Sequence, residues 1–243
     1  MTAGKVLSIL NLYSMDRKVL TVEEMAKLLE MPKSSVYRFV RTLKEHGLLM
    51  EHSQGLYKLG FKFLDLANIV RSDLNIAEVA RPIMDRLTSD YGETTILSVL
   101  SETNAVCLTT STPNQTIRVS SEEGKIMPLY CGASSKSILA FQDVSLLDRI
   151  IESGQIKRYT DRTLTRREEI LENMKLIQEQ GYAYSHSELD KGIVSYGFPI
   201  RNAKGQVFAS LAIVGTEQRM GEKETASLIR RFKKEVAVIE SFL

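Results

Sequence analysis

The residues best placed to do chemistry in this 243-residue chain lie on one short helical stretch. Val36, Phe39, Val40 and Leu43 recur at i, i+3, i+4 and i+7 and so share an apolar face. At ~100° per residue, Ser34, Arg38 and Arg41 point the other way, with Ser35 and Tyr37 on the flanks, and no carboxylate is expected on that face. An arginine fork can grip guanine edges or phosphate oxygens bidentately, hydroxyls reach phosphates, and the positive end of the helix lies near Lys33. That is the chemistry of holding an anionic, hydrogen-bonding polymer.

The charge agrees with this. Residues 1–70 hold ten Lys or Arg against seven Asp or Glu, a local excess of +3 in a chain whose net charge is only +2. Between Met31 and Lys62 six bases meet only Glu45 and Glu51, so an anionic partner is expected there.

Other chemistries find little support. Cys107 and Cys131 form no C-x-x-C pair, and His46, His52 and His186 lie too far apart in sequence to ligate together on one helix, so neither a metal nor a cofactor is expected. Ser134-Ser135-Lys136 lacks the serine that a Ser-x-x-Lys dyad needs at Ala133, and no G-x-S-x-G elbow occurs. His186, flanked by Ser185 and Ser187, is read as a structural strand histidine rather than a general base. No apolar run approaches the ~18 residues that would span a bilayer, and the N-terminus lacks a secretory pattern, so a soluble, cytoplasmic protein without a membrane partner is expected.

The elements that must position the basic helix are legible around it. Val6, Ile9, Leu10 and Tyr13 give a first helical face, and Thr21-Val22-Glu23-Glu24 is a capping box opening a second helix with Val22, Met25, Ala26 and Leu29 inward. Pro32 suits the first turn of the third helix and Gly47 its end. Residues 48–50 and 56–59 then flank Ser53-Gln54-Gly55 as two strands around a turn, which makes a wing beside a helix-turn-helix. Lys58 and the turn residues Ser53 and Gln54 join Lys33, Ser34, Ser35, Tyr37, Arg38 and Arg41 as the expected DNA contacts.

Past a linker in which Phe63, Leu66, Ala67 and Val70 keep helical spacing, and around whose Phe63, Leu66 and Val70 a dimer contact is expected, Asp73 and Asn75 mark the start of a helix over Ile76–Tyr91. Strands are expected at 94–100, 106–111 and 116–120, a loop at 122–129, and helices at 134–141 and 144–152. Thr165-Arg166-Arg167-Glu168 reads as a second capping box opening a helix closed by Gly181. Residues 194–201 and 206–214 form a hairpin, with a last helix at about 222–242. Ser195 and Gly197 share one strand face, and Ser210, Ala212 and Val214 another; these small residues leave room either for a ligand or for a tightly packed helix.

Specific motifs extend along nearly the whole chain. Met31-Pro32-Lys33-Ser34-Ser35-Val36-Tyr37-Arg38, Gly47-Leu48 and Tyr57-Lys58-Leu59-Gly60 resemble the winged helix-turn-helix of the IclR family of bacterial transcriptional regulators. Pro128-Leu129-Tyr130-Cys131-Gly132-Ala133-Ser134-Ser135-Lys136 and the stretch from Gly181 through Glu188-Leu189, Gly192, Ser195 and Pro199-Ile200 to Gly215 and Arg219 are similar to the same family. The resemblance implies an α+β protein: a winged helix-turn-helix over residues 1–61, a linker helix over 62–75, and over 76–243 a GAF-like α/β effector-binding domain with a mainly antiparallel sheet. It also implies assembly as a dimer or tetramer, double-stranded operator DNA as partner, and a small organic effector, often a carboxylate.

That effector would sit against Gly132, Ala133, Ser134, Ser185, Ser195, Ala212 and Val214, its carboxylate on the amides that open the helix and its apolar body against Ala212, Val214 and Ile126. The family often has an acid at Ser185, a cysteine at Ser195, serines at Ala212 and Val214, and glycine at Ser135, so effector identity does not transfer. Two further readings stay open: an enzyme with an accessory DNA-binding module, and a ligand-independent DNA-bridging protein.

Overall fold

A computed structural model describes residues 2–73, 76–116 and 118–243. The expectations placed on Asn75 and on Ile117 lie outside the described residues, as do those on the side chains of Ala67, Val70 and Asp73. The chain divides into two compact units, residues 1–74 and 75–243.

In the first unit α1 (Thr2–Leu10), α2 (Val22–Leu28) and α3 (Lys33–Glu45) pack around Ile9, Met25, Val36, Phe39 and Leu43. The first capping box forms as read: Thr21 Oγ1 accepts from the Glu24 N–H at 3.2 Å, and a Glu24 carboxylate oxygen accepts from the Thr21 N–H at 2.7 Å. Pro32 is the N-cap of α3, one residue before the expected first turn, and Gly47 leaves the helix at φ 70°, a conformation that favours glycine. The strands β1 (Leu20–Thr21), β2 (Leu49–Ser53) and β3 (Leu56–Leu59) pair in the order β1-β3-β2, and α4 (Lys62–Asp73) follows. Tyr13 lies beyond α1, and its hydroxyl donates to the Tyr57 carbonyl at 3.1 Å, tying that segment to the wing.

The second unit is built on six antiparallel strands in the order β6-β5-β4-β9-β8-β7: β4 (Thr94–Ser101), β5 (Asn104–Ser111), β6 (Ile126–Pro128), β7 (Ala183–His186), β8 (Ile193–Arg201) and β9 (Val207–Thr216). Alternation along β8 decides what covers each face. Phe198 stacks on Phe232 of α10 (Thr225–Glu240) at 5.1 Å between ring centroids, and α10 packs beside α5 (Ile76–Tyr91). Ser195 and Gly197 turn the other way, towards α6 (Ala133–Leu139), which is buried along its whole length. Behind α6, the helices α7 (Val144–Glu152) and α8 (Arg167–Gln180) close a core of Leu129, Ile138, Leu147, Ile170 and Ile177. The chain ends with the short α9 (Glu217–Gly221) and α10, where a single helix at 222–242 is expected. Among the described residues no helix is long and apolar enough to cross a membrane.

Two expectations need correction. Among the described residues, 116–120 form no strand; the partner of β5 is β6, inside the stretch read as a loop. The turn before β6 explains the exchange, because Gly124 donates to the Cys107 carbonyl at 2.7 Å and Cys107 to the Lys125 carbonyl at 2.9 Å, which feeds residues 126–128 onto the edge of β5. The N-cap of α8 is Arg166 rather than Thr165: Glu169 accepts from the Arg166 N–H at 3.4 Å, while Thr165 Oγ1 accepts instead from Arg158 at 3.0 Å.

Candidate nucleic-acid interface and effector cavity

All nine expected DNA contacts lie on α3 and the wing. Lys33, Ser34, Tyr37, Arg38 and Arg41 are exposed along α3 and Ser35 is partly so; Ser53 and Gln54 are exposed at the wing turn, and Lys58 is half-buried on β3. A groove between helix and wing brings Tyr37, Arg38 and Arg41 together with Lys44, Glu45 and Tyr57, which are not among the expected contacts.

The outward face of α3 is not free of acids, contrary to expectation. Glu45, four residues beyond Arg41, accepts from its Nε at 2.9 Å. Lys33 pairs with Glu23 at 2.7 Å and Lys44 with Glu51 at 2.7 Å. These pairs are solvent-exposed and of the weakly stabilising kind, so phosphate can compete for the bases. Among the described residues Arg38 makes no ion pair, and its guanidinium lies 5.8 Å from the Phe39 ring centroid. The same 100° arithmetic that placed Arg38 outward places Glu45 beside it, so the signal was present in the sequence.

In the second unit a cavity of about 100 Å³ opens between α6 and the sheet, and Gly132, Ala133, Ser134, Ser185, Ser195, Ala212 and Val214 all line it. The small residues differ in what they face. A Cβ on Gly197 would stand 2.2 Å from the Ala133 carbonyl oxygen, so there the small residue admits the helix. Ser195, Ala212 and Val214 instead border empty space. Buried hydroxyl pairs fasten α6 down: Ser134 donates to Ser98 at 2.9 Å and Ser137 to Ser210 at 2.7 Å.

Two features of the cavity differ from expectation. Ile126 does not line it, being 67% exposed on the edge strand β6; Met127, Val119, Ile96 and Ile193 contribute to the apolar wall. The amides that open α6 are also partly engaged, since Gly132 donates to a Glu188 carboxylate oxygen at 3.0 Å and Ala133 to Ser195 Oγ at 3.4 Å. Glu188 is buried and paired with the equally buried Lys136, whose ammonium also donates to the Tyr184 carbonyl at 2.8 Å. The Cys131 thiol borders the same space, with burial first and the Glu188 charge second pushing its pKa up to about 12.

Comparison with known proteins accounts for both units. The profile of the IclR helix-turn-helix domain matches residues 2–52, and that of the bacterial transcriptional regulator IclR C-terminal domain matches residues 69–240. The chain belongs to the IclR family. This IclR-family chain is similar to the HTH-type transcriptional regulator KipR of Bacillus subtilis (strain 168), 32% identical over 232 residues that cover 96% of this chain and 92% of KipR. It is also similar to the HTH-type transcriptional regulator KdgR of Escherichia coli (strain K12), 30% identical with 90% and 83% covered. Among solved structures, the Thermotoga maritima IclR superposes with a TM-score of 0.75 at 26% identity, covering 100% of this chain and 98% of that one. An IclR homologue from Microbacterium hydrocarbonoxydans, complexed with 4-hydroxybenzoate, superposes with a TM-score of 0.84 at 20% identity, covering 99% and 98%, and shares the fold. The protein is thus a helix-turn-helix transcriptional regulator of the IclR type.

Proposed function

We propose that this regulator binds operator DNA through Lys33, Ser34, Ser35, Tyr37, Arg38, Arg41, Ser53, Gln54 and Lys58, and that a small organic acid in the cavity beside α6 modulates that binding. In this reading residues 1–61 hold the DNA, 62–75 link, and 76–243 sense the effector, in a cytoplasmic dimer or tetramer. The observation that carries the effector reading is the cavity itself, since one space gathers all seven residues singled out for it. The Microbacterium relative holds 4-hydroxybenzoate on the same fold, which supports a small acid as the class of ligand. At about 100 Å³ the cavity is smaller than most ligand sites, which run ~300–1,000 Å³, so a compact acid fits better than a sugar acid.

We read the protein as a regulator rather than an enzyme. Lys136 is engaged by Glu188 and the Tyr184 carbonyl, which leaves it poorly placed to act as a base for Ser134, and His186 faces Glu217 at 3.0 Å. Ser195→Leu, which fills the cavity, should abolish the thermal shift given by a binding acid and make operator affinity insensitive to it. An acid that shifts wild type and Ser195→Leu equally would refute the assignment.

A further inference from the structure

The cavity wall is electrically polarised along the strand order. Lys125 enters at the β6 edge, its backbone carbonyl bonded to the Cys107 N–H at 2.9 Å, and its exposed ammonium makes no ion pair or hydrogen bond among the described residues. Glu188 and Asp190 enter after β7, at the other edge of the sheet, and Ser195, Ala212 and Ile96 line the wall between.

A ligand carboxylate at the Glu188 side would find the Gly132 amide engaged, the Lys136 ammonium taken up by Glu188, and the further carboxylate of Asp190 at the same end of the cavity. At the Lys125 side it would find a cation with no ion pair among the described residues. Glu188 uses one donor on each oxygen, and a carboxylate offers more acceptor positions than two, so it can still accept from a ligand. We propose that the cavity takes a small carboxylic acid with its carboxylate against Lys125 and a hydrogen-bond donor at its far end directed to Ser185, Glu188 and Asp190. This rests on the effector reading above and reverses the orientation expected from the helix amides alone.

Titration calorimetry on the full chain with 4-hydroxybutyrate, 4-aminobutyrate, butyrate and butyramide tests it. The two acids bearing a terminal donor should bind more tightly than butyrate, and butyrate more tightly than butyramide. Lys125→Met should weaken the acids by about tenfold or more and leave butyramide within about twofold, and Lys125→Arg should restore the acids. Ser195→Leu should abolish binding of all four whichever way they lie. If Lys125→Met leaves acid affinity unchanged, or weakens acid and amide alike, while Ser195→Leu still abolishes binding, the orientation is overturned and the cavity reading survives. Binding that withstands Ser195→Leu, or failure of every acid to bind, overturns both.

Discussion

Arg38 and Arg41 stand three residues apart on α3 but in different electrostatic company. Arg41 is held through Nε by Glu45, which leaves its terminal Nη edge outward, whereas Arg38 has no carboxylate partner among the described residues. A free guanidinium on an exposed recognition helix suits direct contact with a base edge, so Arg38→Ala should cost ~1–3 kcal/mol in operator binding by fluorescence anisotropy. Unchanged affinity would remove Arg38 from the interface. The cysteines behave oppositely: burial raises the pKa of both Cys107 and Cys131, the latter to about 12, so both stay neutral thiols at pH 8. Iodoacetamide at that pH should label neither until the protein is unfolded, and rapid labelling of the native chain would contradict their placement. Residue types alone favour burial for cysteine, and both lie in the core. Residue types did not reveal Glu188, because its pairing with Gly132 and Lys136 crosses more than fifty residues and depends on where the loop after β7 comes to rest.

Elements were legible where a local rule suffices. The capping box at Thr21 forms because all its partners lie within four residues, and Ile76–Tyr91 has the bounds its periodicity gives. Residues 116–120 misled because pairing at a sheet edge is settled by which segment the preceding turn delivers, which propensity does not encode. Gly197 shows the same dependence on tertiary context. A methyl there would meet the Ala133 carbonyl carbon at 2.5 Å and the Ser134 nitrogen at 2.9 Å, both backbone atoms of a helix buried on every side. Gly197→Ala should therefore destabilise the second unit by about 1–3 kcal/mol in a denaturant titration; a stability within error of wild type would mean that α6 moves freely.

On the other unit, Glu51 joins the wing to α3. One carboxylate oxygen takes Lys44 at 2.7 Å and the other accepts the Gly55 N–H at 3.2 Å. The Lys44 hydrogen bond lowers the pKa of Glu51, and the Glu51 hydrogen bond raises that of Lys44. The contribution from Glu51 is thus present above the ordinary Glu range and lost as pH falls through its lowered value; that from Lys44 is present below the ordinary Lys range and lost only at higher pH. The link should hold unchanged between about pH 6 and 9. Glu51→Gln should lower operator affinity severalfold while leaving affinity for random DNA equal or higher, because it removes an acid near phosphate as well as a strut. A parallel change in both affinities would reduce Glu51 to a surface charge.

At the scale of the whole molecule, two copies of the DNA-binding unit should hold DNA more tightly than one. A single module of this size buries ~600–1,000 Å² on DNA, whereas tight specific binding commonly draws on more, and two copies related by a twofold axis double the contacts. α4 offers a surface for that pairing. Leu64 is 60% exposed and Leu66 is 41% exposed on it, and Phe61 just before it is 66% exposed, while Phe63, expected to lie at the centre, is half-buried. Apolar side chains this exposed on one short helix are what a homodimer would cover. The protein should therefore run as a dimer or tetramer in light scattering, and Leu64→Glu should shift it towards smaller species. Its operator should carry two half-sites in twofold or repeated arrangement, centred about one helical turn, ~34 Å, or a multiple of it apart. Inserting five base pairs between them turns one half-site to the opposite face of the duplex, ~180° at ~10.5 base pairs per turn, and should abolish tight binding, whereas inserting a full turn should restore part of it. Monomeric protein that footprints a single half-site with undiminished affinity would defeat the symmetric arrangement and leave α3 and its wing to supply all the specificity themselves.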